Sequence, residues 1–190
     1  MSYPYVIGFM GYAGTGKTTT AQILRSIASD SIEILSFAGP LKEAVQLLFL
    51  FSHDQVFGCP EEKERVDDRW GKSPRQIMQI IGTDCIRNMI DPNFHVKRLD
   101  EVIKASTAKI ILVDDVRFRE EADLINYYGE CFNIRRPGFP RDSIRHVSEY
   151  PPIEKASGYT VDNSFTSVEE YGRALLSERS YLKHLIERNL

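Results

Sequence analysis

The sequence predicts an α/β protein with a mainly parallel sheet of about five strands. Three observations predict it. Short apolar runs alternate with segments of helical periodicity, and a glycine-rich turn joins the first run to the first helix. The chain has 190 residues, 42% of them hydrophobic and 27% charged, which suits one globular domain with a sizeable core.

Taken in order, Tyr5–Phe9 is the first strand, and a helix should run from Lys17 to about Ala28. Ile32–Ser36 is the second strand, and after Pro40 the residues Leu41, Val45, Leu48 and Phe49 recur at helical spacing. Gly58 to Lys72 is dense in charge and reads as a solvated excursion. Ser73-Pro74-Arg75-Gln76 then marks a helix start: a capping Ser, Pro at the first helical position, and Gln three residues after the cap. That helix should end near Asp91-Pro92, with another from Phe94 to Lys104. Ile110–Val113 is a strand, Glu120–Tyr128 a helix stopped by Gly129, and Cys131–Arg135 a strand. Arg136 to Pro152 carries four prolines without clean periodicity and reads as an excursion. Tyr159–Val161 is the last strand, and Ser167-Val168-Glu169-Glu170 opens a last helix continuing towards Glu187.

Bulk properties exclude several functions. A net charge of −3 gives no reason to expect a nucleic-acid partner. Met1-Ser2-Tyr3-Pro4 lacks a basic leader, and the run Leu47–Phe51 is far too short to span a bilayer, so neither export nor a membrane is expected. Cys59, Cys85 and Cys131 are odd in number and widely separated, which fits free thiols in a reducing cytoplasm. The four histidines are scattered and suggest no metal site.

The chemistry concentrates in Gly11-Tyr12-Ala13-Gly14-Thr15-Gly16-Lys17-Thr18, the pattern G-x-x-x-x-G-K-[ST] directly after a strand and before a helix. Successive N–H groups and the helix N-terminus, worth roughly half a positive charge, would converge on a phosphate. Lys17 can reach the β- and γ-phosphates, and the Thr18 hydroxyl can ligate Mg²⁺. The strand at Ile110 ends in Asp114-Asp115-Val116-Arg117, on the edge of the sheet where ligands bind. There a carboxylate could orient Mg²⁺ and Arg117 could hold a substrate phosphate. Arg135, Arg136, Arg141 and Arg145 crowd the proline-containing excursion, and guanidinium groups grip phosphate oxygens in pairs, as a closing lid would. On the helix from Ser73, the residues Arg75, Gln76, Gln79, Thr83 and Arg87 fall within a sector of roughly 120°. Most such polar faces only meet solvent, and alone this one reads so.

The stretches GYAGTGKTT (Gly11–Thr19), SFAGPLKE (Ser36–Glu43), WGKSPRQIMQIIGTDCIR (Trp70–Arg87), VDDVRFREEA (Val113–Ala122) and VDNSF (Val161–Phe165) resemble the deoxynucleoside monophosphate kinases of bacteriophages and large viruses. The combination of S-P-R-Q-x-x-Q-x-x-G-T-D-x-x-R with D-V-R-F-x-x-E is the discriminating part. The resemblance implies the phosphate-loop kinase three-layer fold, with a helical substrate-binding insertion at about 38–105 and a lid at about 136–155. It implies transfer of the ATP γ-phosphoryl group to a deoxynucleoside 5′-monophosphate, for DNA precursor supply, with Mg²⁺. ATP would be held by Gly11, Ala13, Gly14, Thr15, Gly16, Lys17, Thr18 and Thr19, and the metal by Thr18 and Asp115. The neighbouring Asp114 leaves open which carboxylate serves. Phe37, Lys42, Arg75, Gln79, Thr83, Arg87 and Glu121 would surround the acceptor, with Lys17, Asp115, Arg117, Arg136, Arg141 and Arg145 at the reacting phosphates. Small-molecule nucleotides are the partners implied, in the host cytoplasm if the gene is viral, and a homodimer stays open. Beside this reading stand a kinase of another small acceptor, such as dephospho-coenzyme A, and a nucleotide-dependent switch. The chain lacks the N-K-x-D segment usual in guanine-specific switches.

Overall fold

A computed structural model describes residues 3–138 and 159–190. The chain divides into two compact units: residues up to Ser36 together with those from Arg98 on, and Phe37–Lys97.

The first unit is built on five strands: β1 (Tyr5–Met10), β2 (Ile32–Leu35), β3 (Ile110–Val116), β4 (Gly129–Arg135) and β5 (Thr160–Asp162). They lie in the order β2-β3-β1-β4-β5, and every pairing is parallel. The apolar runs become strands because both faces of the sheet are covered, so no polar alternation is needed. On one face Ile7, Phe9, Ile110, Leu112, Phe132 and Ile134 form a core with Ala21 and Leu24 of α1 (Lys17–Arg25). Tyr171 and Leu175 of α8 (Val168–Leu175) join that core, as do Leu182, Leu185 and Ile186 of α9 (Tyr181–Asn189). The opposite face buries Val6, Ile111, Val113 and Cys131. There Gly8 leaves room for α7 (Arg119–Tyr128): a Cβ on it would come within 2.9 Å of Ile125 Cγ2.

Four departures from the predicted elements of the first unit bear on its packing. The first helix ends at Arg25, because Ser26, Ile27 and Ala28 donate to carbonyls three residues back in a tightened last turn. β3 runs three residues further than its apolar stretch. The expected last helix is two: α8 stops at Leu175, and the Ser180 hydroxyl accepts from Lys183 N–H at 3.2 Å to start α9. Gly129 does not end α7 as a left-handed cap. Its φ is 179°, an extended value, and glycine stands there because a side chain would strike the Val6 carbonyl.

The second unit is helical, comprising α2 (Gly39–Phe49), α3 (His53–Phe57), α4 (Pro60–Glu64) and α5 (Pro74–Gln79). The long helix α6 (Phe94–Ala105) begins in it and ends in the first unit. Val45, Phe51, Val56 and Ile77 form its core. The charge-dense stretch expected as an excursion contains α4, started by Pro60 with Glu61 and Glu62 in its first turn. Beyond Gln79, α5 widens into a coil with i→i+5 hydrogen bonds over Ile80–Ile90; its last bond joins Asp91 N–H to Ile86 O at 2.9 Å. Thr83 and Arg87 are therefore buried, while Met89 is 79% exposed.

Candidate active site

The loop after β1 is shaped by its own backbone. Gly11 has φ 142°, and any side chain there would overlap the Ile134 carbonyl at the end of β4. Gly16, the residue that caps α1, has φ 98°, in the left-handed region open to glycine. The Thr15 hydroxyl donates to Tyr12 O at 2.9 Å and tightens the turn from inside. Gly16 has no side chain to cap α1, whose N-terminus presents the positive end of the helix dipole to the loop. Lys17 Nζ folds over the loop and donates to Gly11 O and Tyr12 O, both at 2.8 Å. Ala13, Gly14 and Thr18 are exposed, and Thr19 is half-buried beside them.

The carboxylates meet this loop through a bulge. Gly8 pairs with Val113 and Met10 with Val116, so Asp114 and Asp115 together face the single residue Phe9. Such an insertion re-aims side chains and is rare in parallel sheets. Thr18 Oγ1 donates to Asp114 Oδ2 at 2.6 Å, while Asp115 is buried. Of the two adjacent carboxylates between which the sequence leaves the choice open, Asp114 is the one that meets the predicted metal-binding hydroxyl. A hydroxyl beside a carboxylate is an all-oxygen donor pair, the kind Mg²⁺ prefers. Among the described residues no group of three or more His, Cys, Asp and Glu is arranged to hold a metal. Such a pair fits an ion whose remaining ligands are water and phosphate oxygens.

Arg117 follows the bulge on a turn fixed by Glu121. One oxygen of that buried carboxylate accepts from the N–H groups of Arg117 (2.8 Å) and Phe118 (3.1 Å), closing the start of α7. Glu121, expected near the acceptor, thus fixes the backbone turn that carries Arg117. At the far edge of the sheet, Arg135 Nη2 pairs with Asp162 at 2.8 Å and is used to join β4 to β5. Arg136 is exposed just beyond β4, while Arg141 and Arg145 lie outside the described residues. Sequence reasoning gave Asn163 no role, yet its Nδ2 donates to Thr15 O at 2.9 Å, reaching into the phosphate loop. Its place just past the end of β5, on the edge where the other site residues lie, was the available signal.

In the helical unit Phe37 is buried, and Lys42 Nζ stands 5.9 Å from the centre of the Phe57 ring. Arg75 Nε lies 3.0 Å from Glu64 Oε1, and Gln79 is half-buried. Gln76 leaves the polar face because its side chain accepts from Ser73 N–H at 2.9 Å, completing the predicted cap. Arg87 Nη1 donates to Pro92 O at 3.0 Å, and His95 Nε2 lies 3.3 Å from Gly82 O. The charges of Arg75 and Arg87 and the hydroxyl of Thr83 recur every fourth residue with Gln79 among them.

No protein-family model matches the chain. Over 159 residues it is 38% identical to a protein of Acanthamoeba polyphaga mimivirus named as a deoxynucleotide monophosphate kinase, covering 76% of this chain and 80% of that one. Among solved structures, shikimate kinase from Acinetobacter baumannii in complex with shikimate matches with a TM-score of 0.50 and 12% identity, over 98% of this chain and 96% of that one. That likeness shows the fold, a parallel sheet with the phosphate loop after β1, and carries nothing about substrate. Among the described residues, no helix is long and apolar enough to cross a membrane.

Proposed function

The chain belongs to the deoxynucleotide monophosphate kinase family and is a phosphotransferase, and from that premise we propose that it converts a deoxynucleoside 5′-monophosphate and ATP to the diphosphate and ADP. The observation that carries the ATP half is the uncapped start of α1 with Lys17 beside it and the Thr18–Asp114 pair at 2.6 Å.

Phosphoryl transfer asks the protein for alignment and positive charge more than for covalent chemistry. The α1 N–H groups and Gly16 cradle the phosphates. Lys17, which the loop carbonyls hold close by, moves onto the β- and γ-oxygens when they arrive and stabilises the charge that spreads over them in the transition state. Thr18, its hydroxyl oriented by Asp114, would hold Mg²⁺, which would supply positive charge against the phosphates. Arg117, steadied through Glu121, and Arg136 add guanidinium donors to the transferring group. Phe37, Lys42, Arg75, Gln79, Thr83 and Arg87 hold the acceptor: the guanidiniums its phosphate, the amide and hydroxyl its base, Phe37 an aromatic surface. The setting implied is deoxynucleotide supply in the cytoplasm.

The test is an ADP-release assay with each of the four deoxynucleoside monophosphates, their ribose counterparts and dephospho-coenzyme A. At least one deoxynucleotide should raise turnover well above the ATP-only rate. Gln79→Ala or Arg87→Ala should then raise the acceptor KM about tenfold or more while leaving the ATP KM nearly unchanged. ATP hydrolysis indifferent to every acceptor would instead favour a nucleotide-dependent switch.

A further inference from the structure

We infer that Asn163 is a positioning residue of the phosphate loop, whose side-chain amide latches the Thr15–Gly16 peptide so that the Gly16 N–H faces the ATP phosphates. A trans peptide is planar, with its C=O and N–H pointing in opposite directions. Nδ2 of Asn163 donates to Thr15 O at 2.9 Å, so the Gly16 N–H of the same unit points away from Asn163. Were that peptide to flip, a carbonyl oxygen would replace an N–H donor among the groups gathered for an anion. The flip is easy for a bond that ends in glycine, and Gly16 already has φ 98°.

The latch is rigid at its base. Asn163 N–H donates to Arg135 O at 2.7 Å, and Arg135 pairs with Asp162 both through the sheet register and through its guanidinium at 2.8 Å. Asn163 is 8% exposed, so water competes little for the bond it makes. The arrangement also adds a second reason for glycine at position 16. A Cβ on that residue would occupy the space that Asn163 Nδ2 fills, so the motif glycine serves the latch as well as the turn.

This role presupposes ATP phosphates on the loop, as proposed for the reaction. It is tested by equilibrium binding of ATP and of the accepted deoxynucleotide to wild type, Asn163→Asp and Asn163→Ala, across pH 5.5 to 8.5. Aspartate keeps the shape but, when ionised, sets a negative oxygen against the Thr15 carbonyl and draws the Gly16 N–H towards itself. ATP affinity of Asn163→Asp should fall at least tenfold at high pH. Protonation restores an O–H donor, and burial raises the pKa of this carboxyl, so the deficit should shrink as pH falls. Asn163→Ala should bind ATP about tenfold more weakly at every pH, and neither variant should lose deoxynucleotide affinity. If Asn163→Asp does not fold, the alanine variant alone decides, through the ratio of its ATP loss to its deoxynucleotide loss. Equal losses of both ligands, or ATP binding within twofold of wild type in every folded variant, overturns the latch. Wild-type protein that binds no ATP overturns the reaction reading, and the latch with it.

Discussion

Replacing Asp114 by asparagine should raise the Mg²⁺ requirement of the reaction by about 10- to 100-fold. The expectation starts from one bond: Thr18 Oγ1 to Asp114 Oδ2 at 2.6 Å, within the short range of a hydroxyl donating to an ionised carboxylate. Hydrogen bonds to charged groups contribute roughly 1.5–3 kcal/mol, and about 1.4 kcal/mol is tenfold in affinity. The bond orients the hydroxyl, leaving its lone pairs for the ion. Outer partners of metal ligands typically cost the same 10- to 100-fold when lost. Asparagine can still accept through its amide oxygen, so Asp114→Ala should lie at the upper end. The assay is ADP release at fixed ATP and acceptor while Mg²⁺ is titrated. The acceptor KM at saturating Mg²⁺ should stay near wild type. A Mg²⁺ curve for Asp114→Asn that overlays wild type, with the whole shift appearing in Asp115→Asn, would refute the reasoning and return the metal to Asp115.

Lys17→Ala should lower turnover by about 10²- to 10³-fold, the scale of one well-placed electrostatic donor, with the fold intact by circular dichroism. Turnover within a few-fold of wild type removes Lys17 from the mechanism. Gly8→Ala should destabilise by about 1–3 kcal/mol, seen as a Tm several degrees lower, because its methyl would meet Ile125, Cys131 and Val116 side-chain atoms at 2.9–3.0 Å. An unchanged Tm would mean α7 does not press on β1 as described. Burial pushes the Cys131 thiol up to about 12, and the nearby Asp123 carboxylate adds to the shift, so at pH 8 a thiol reagent should label exposed Cys59 quickly and Cys131 only on unfolding. Peptide mapping that finds both labelled at the same rate contradicts that burial.

The central strands β1 and β3 were legible because they are buried on both faces, and such strands write themselves as nearly unbroken apolar runs. Helix starts were equally legible where a side chain makes the cap, as at Ser73 with Gln76. The same cap, Ser52 with Gln55, starts α3 and went unread, since only five residues follow and no apolar period can establish itself. The extent of β3 was hidden for another reason. Asp114 and Asp115 look like a polar strand end, and only the pairing of Gly8 with Val113 and of Met10 with Val116 reveals one residue too many. Which of two adjacent carboxylates reaches Thr18 depends on that bulge, a property of the partner strand as much as of the pair itself.

The polar stripe of the helical unit lies on a backbone different from the one its spacing assumes. Arg75, Gln79, Thr83 and Arg87 were placed on one face by assuming an α-helix throughout, yet from Ile80 the coil is wider. On an α-helix, a turn takes 3.6 residues, so a repeat of four overshoots and the stripe drifts one way. On a coil with i→i+5 bonds, a turn takes more than four residues, and the same repeat drifts back. The change of coil after Gln79 thus straightens the stripe that a uniform helix would have wound away. It also explains a burial pattern that α-helical spacing cannot: Ile77, Gly82 and Arg87, five apart, are all buried, and Met89 is turned to solvent. A guanidinium enters the interior of the unit because the wider coil turns it there. Sequence periodicity alone could not distinguish the two coils, because a repeat of four lies between their turns.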